Sequence, residues 1–177
     1  MSGDATGRVV GGLVAGNPSR GAHPQPLPDV DAEFDQWLGR LTDTHDALAY
    51  TCTYRIGDAV LAREVSFRIM SALVGKPQVF RHYGLPYSGR IARLAEPLIA
   101  SAQRGDLVAG PSTQWEELFQ DLLTMPAEIR QVLIVGYVLG NKGETLGALL
   151  ECDGVTADRR RESVVAWMRA AAPAWSE

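Results

Sequence analysis

Apolar residues recur at helical spacing along most of the chain after about residue 30. From Asp31 to Leu41, Phe34, Trp37, Leu38 and Leu41 fall on one face. A second helical pattern runs to Arg55 through Ala47, Leu48, Thr51 and Tyr54, with Asp43 or Thr44 placed to cap it. Gly57-Asp58 breaks the pattern, and Ala59 to Leu73 then carries Leu61, Val65, Ile69 and Leu73 four apart. Gly75-Lys76-Pro77 ends that helix. Phe80 to Pro86 reads as a loop. Ser88 to Arg104 is helical in pattern, with Pro97 expected to kink or divide it, because proline lacks the amide hydrogen that an interior turn uses.

After a break at Gly105-Asp106 and Gly110-Pro111, Trp115 to Leu123 opens a second series. Ile129, Val132, Leu133, Gly136 and Tyr137 form one stripe, Gly140 to Gly143 interrupts it, and Leu146, Leu149 and Leu150 form a shorter one. Asp153-Gly154 precedes a last helix whose first turns hold Thr156, Asp158, Arg159, Arg160 and Arg161. No stretch alternates long enough to predict a strand. The expected fold is all-α: a flexible leader over 1–30, a helical module over 31–104, a linker over 105–112 and a second module over 113–172 whose end is a helix-turn-helix.

Composition adjusts this picture in a few places. The apolar content of 46% suffices for a core. The net charge of −4 means that any basic surface must be local. Arg81, Arg90, Arg93 and Arg104 face only Glu96 within their segment, whereas acids outnumber bases from Trp115 to Asp153. The leader is rich in Gly, Pro, Ala and Ser, and Asn17-Pro18 stands where a phosphate-binding loop needs Lys and a hydroxyl residue. No apolar run approaches the ~20 residues of a membrane span, and no secretory signal is visible, so a cytoplasmic location is expected. Cys52 and Cys152, with three dispersed histidines, have no metal-ligand spacing, and no nucleophile motif occurs. No cofactor, no metal and no enzymatic activity are expected.

The spacing of the last third resembles that of bacterial RNA polymerase sigma factors, particularly the small two-domain extracytoplasmic-function group. Met125-Pro126, Arg130, Leu133, Tyr137 and Gly140 fall in step with that family's C-terminal module. In the same ungapped register Thr145-Leu146-Gly147 stands where Glu-Ile-Ala is usual, Leu150-Glu151 where Leu-Gly is usual, and Thr156 and Arg160 match the recognition-helix Thr and Arg. Ala62 to Met70 lies where the family contacts core polymerase, and Leu94 to Leu98 lies in its −10 reading helix, with Arg90 at a usual Trp and Pro97 at a usual Asn. The resemblance covers about residues 40 to 170.

The resemblance implies core RNA polymerase and promoter DNA as partners, with an anti-sigma protein as an optional third. It implies DNA contact by Arg130, Thr156, Arg159 and Arg160 at a −35 element, and by Arg90 and Arg93 near Tyr83 and Tyr87 at a −10 element. It implies polymerase contact by Glu64, Val65 and Arg68. Each has a plainer alternative. Thr156, Arg159 and Arg160 can be a solvated helix face, Arg130 can pair with a carboxylate, the tyrosines can be core anchors, and Glu64 with Arg68 can be an ordinary i, i+4 pair. Pro97 and Arg90 predict weak promoter opening. Two further functions remain open: a sigma-like regulator that binds DNA or polymerase without opening promoters, and a helical protein-interaction module.

Overall fold

The computed structural model describes residues 28–81, 89–108 and 115–171. Nearly all of the leader, with Tyr83, Tyr87, His23 and His82, lies outside them. Among the described residues there are seven α-helices and no strand, and no helix is long and apolar enough to cross a membrane.

The first helix, α1 (Val30–Ile56), begins where the Asp29 carboxylate accepts from the Ala32 amide at 3.1 Å. Asp31 and Glu33 in its first turn complement the helix dipole. It does not stop at Asp43 or Thr44, where the sequence suggested a cap. The hydroxyls of Thr42 and Thr44 donate back to the carbonyls of Leu38 and Arg40, at 3.2 and 2.8 Å. They thus satisfy themselves inside the helix instead of capping a new one. Leu41, Thr44, Leu48 and Cys52 then continue one buried row across the expected break.

Asp58 caps α2 (Ala59–Val74), accepting from the Val60 and Leu61 amides at 2.9 Å each. This helix is buried nearly all round, from Ala62 through Val74. It packs on α1, on α3 (Gly89–Gln103) and on a short 3₁₀ turn at Pro77–Arg81, which takes up the start of the expected loop. The end of α1 is tied to α3 by Arg55, whose guanidinium holds the Glu96 carboxylate at 2.7 and 2.8 Å, and by Gln103, whose amide donates to the Arg55 carbonyl. Gly105, at φ 77°, closes α3, with its own amide bonded to Ala102 and the Asp106 amide to Ser101.

Pro97 does not divide α3, which runs through it with the ring on the exposed side. Its missing amide leaves the Arg93 carbonyl without its helical donor. Pro97→Ala should restore that bond and raise stability by about 2 kcal/mol, the helix-interior penalty less the chain stiffness that proline gives the unfolded state. Urea denaturation reads this directly, and an unchanged midpoint would show that the proline is not strained there.

The C-terminal part comprises α4 (Trp115–Leu123), α5 (Ala127–Val132) running into a π-helical turn (Leu133–Val138), α6 (Gly143–Leu149) and α7 (Gly154–Ala171). Its buried side chains join those of the N-terminal part in one cluster that extends from Phe34 to Met168. The π turn lies against α1 and the 3₁₀ turn, and α5 also touches α1.

Candidate nucleic-acid interface

The arrangement around α7 begins with the π turn. Its wider coil bonds the Leu139 amide to the Ile134 carbonyl at 2.8 Å and frees neighbouring carbonyls from α-helical partners. Val135 receives the Asn141 side-chain amide at 2.9 Å, and Gly136 receives the Arg161 Nε at 3.2 Å. Arg161 also stacks 4.2 Å over the Tyr137 ring, while the Tyr137 hydroxyl donates to the Arg161 carbonyl at 2.9 Å. Burial raises the Tyr137 pKa, with Arg161 opposing it, so the phenol stays a donor at neutral pH. Arg161 is therefore the fastening between α7 and the helix beneath it, and it is not one of the outward arginines.

The turn from α6 into α7 is tight. A Cβ on Gly147 would stand 2.6 Å from the Cys152 carbonyl oxygen, and one on Gly154 would stand 2.9 Å from the Glu144 amide nitrogen. Backbone meets backbone at both points, so only glycine fits. Asp158 reaches across to accept from the Gly143 amide at 3.1 Å and fixes α6 against α7. Glu151, where the family resemblance has glycine, is the one non-glycine residue at positive φ among those described, at 53°. Glu151→Gly should relieve that strain and stabilise the chain by about 1 kcal/mol, or about 3 °C in Tm. A lower Tm would mean that the Glu151 side chain contributes more than its backbone loses.

Asp153 caps α7. Its carboxylate accepts from the Thr156 amide at 2.9 Å and from the Thr156 hydroxyl at 2.6 Å. These bonds, the hydroxyl's first, hold the Asp153 pKa below its ordinary 3.8. The cap's contribution to stability is therefore full above that value and is lost as the pH falls from it through the lowered one. Thr156, expected to touch a phosphate or a thymine methyl, has its hydroxyl proton committed to Asp153.

Arg159 and Arg160 are exposed, on the second turn of α7, and no carboxylate among the described residues pairs with either. Arg130 is placed otherwise. It pairs with Asp31 at 2.8 Å, donates to the Met125 carbonyl at 3.3 Å and lies 4.5 Å over the Phe34 ring. Of its two alternatives the structure has the carboxylate pair. Arg90 and Arg93 are exposed on α3.

The residues expected to face polymerase do not form a surface. Val65 is 0% exposed and Glu64 is 8% exposed. Glu64 and Arg68 pair with each other at 2.7 Å, and Arg68 donates to the Val108 carbonyl at 3.3 Å, so the start of the linker covers them. The reason is that α2 is apolar around most of its circumference and sits between neighbours. Its four-residue stripe is only part of what it buries.

Pattern reasoning missed Arg161, Asn141 and Asp153. Asp153 carried a local signal, an Asp three residues before Thr156 at a helix start. Arg161 carried none, because its partners Gly136 and Tyr137 lie a full helix pair away in sequence. Cys52 offers no chemistry, since burial pushes its thiol pKa up to about 11. The chain matches no known protein family, no curated protein and no solved structure.

Proposed function

We propose that this chain is a sigma-factor-like transcription protein of the cytoplasm. In this reading α5, α6 and α7 form a helix-turn-helix, α7 enters the major groove of promoter DNA, and the chain acts with core RNA polymerase, which supplies the catalysis. The observation that carries it is the pair Arg159 and Arg160. Both are exposed on the early turns of α7, behind a turn so close that Gly147 and Gly154 admit no side chain. Arginine at that position can hold guanine O6 and N7 or a phosphate. Arg90 and Arg93 on α3 supply a second basic site suited to −10 DNA. Thr156 contributes through its methyl group and its oxygen lone pairs.

A second reading, a DNA-binding regulator that does not open promoters, is favoured by one observation. The Glu64–Val65–Arg68 segment is enclosed, so the polymerase contact that the resemblance implies is not presented. Transcription from a genomic fragment library with core polymerase, run beside selection of bound duplexes by the chain alone, separates the two. A selected motif together with new transcripts supports the first reading. A motif without transcripts supports the second. No enriched motif in either arm removes both and leaves the protein-interaction module. Binding through phosphates must also weaken steeply with salt, with a slope of roughly −0.9 per phosphate neutralised.

A further inference from the structure

Resting on the second reading, a DNA-binding regulator that does not open promoters, we propose that the chain engages DNA as one rigid body at a single continuous duplex site, with its N-terminal half still docked on the recognition helix. Four independent features join the halves. Phe34, Trp37 and Leu41 of α1 belong to the same buried cluster as Leu133 and Ile134 of the π turn, so separation would bare a large apolar face. Arg130 clasps Asp31 and the Phe34 ring. His45 stacks on Trp115 with ring centroids 4.6 Å apart. Gly75, at the end of α2, lies against α7, where its Cβ would stand 3.7 Å from the Arg169 side chain.

The exposed Arg159 and Arg160 belong to this joined body. A compact body of the size of the described residues has a radius of gyration of roughly 14 Å and measures roughly 40 Å across. That spans about 12 base pairs at ~3.4 Å each. Elements at −35 and −10 stand about 25 base pairs, or roughly 85 Å, apart on the same scale. One docked molecule therefore covers one of them and not both.

The test locks the halves together. In the full chain, Gly75→Cys with Arg169→Cys puts one thiol on α2 and one on α7 where the two elements touch, free-thiol titration confirms that the bond has closed, and Cys152→Ser leaves only the buried Cys52 besides them. Hydroxyl-radical footprints are taken on the selected duplex with the lock oxidised and reduced. The expected result is a single footprint of about 12 base pairs and affinities within twofold in the two states. A tenfold or greater loss on oxidation, restored by reductant, overturns the rigid-body proposal and leaves DNA binding standing. Two footprints separated by unprotected duplex overturn it also. No footprint in either state removes the DNA reading, and this proposal falls with it. Hydrogen exchange on the unaltered chain gives a check without substitution: amides of the π turn should keep their protection when DNA is added, and their deprotection would overturn the docked state.

Discussion

Val65→Asp should unfold the chain. Val65 is completely buried on α2, a helix enclosed by α1, α3 and the 3₁₀ turn. Its neighbours Ala62, Ile69 and Met70 offer no polar partner, and Glu64 beside it already adds a negative charge that Arg68 must balance. An unpaired carboxylate there loses its hydration and gains nothing, at a penalty of about 4–5 kcal/mol. That is a large share of the ~5–15 kcal/mol that holds a typical domain together. Circular dichroism should show the helix signal lost at room temperature or a Tm lowered by more than 10 °C. Arg63→Asp, on an exposed position of the same helix, should stay within ~0.5 kcal/mol of the parent. If Val65→Asp keeps both its Tm and its helix content, α2 is an outer helix, and the polymerase-facing role implied by the resemblance returns.

The second large effect concerns DNA. Arg159→Ala combined with Arg160→Ala should cut affinity for a selected duplex by roughly thirtyfold or more, since each base-contacting arginine contributes ~1–3 kcal/mol. Stability should barely move, because both side chains stand in solvent with no ion pair among the described residues. Anisotropy titrations at two salt concentrations distinguish the roles. Loss of a base contact relaxes preference at one position, whereas loss of a phosphate contact weakens all sequences alike and flattens the salt slope. Arg161→Ala is the contrasting control. It should lower stability by removing the bond to Gly136 and the stack on Tyr137. Unchanged affinity in the Arg159/Arg160 double variant would exclude α7 as a DNA-reading helix.

The contrast among the three adjacent arginines shows where sequence ceases to inform. Arg159, Arg160 and Arg161 look alike in a helical pattern, yet the first two are exposed and the third is fastened to Gly136 and Tyr137. One step along a helix turns a side chain by about 100°, so a triplet must divide between faces. Which member points inward depends on where the π turn has been packed.

The same division holds for the whole molecule. The sequence by itself determined the all-helical class, most helix ends and the position that needs a left-handed residue. The first two follow from 3.6-residue spacing and from Gly57-Asp58 and Gly105-Asp106 as breaks, and the third, Glu151, from the turn glycine that the family resemblance implies there. All are interactions between residues a few positions apart, and local spacing encodes them. Even there Thr44 misled, because a threonine hydroxyl can cap a helix or bond back within one, and the buried row through Leu41 and Leu48 made the choice. Tertiary structure alone decided the enclosure of α2, the joining of the halves in one core, and the assignment of Arg130 to Asp31, its partner 99 positions away. An arginine accepts a phosphate or a carboxylate almost equally well. Which carboxylate comes within its reach is set only when the helices have packed.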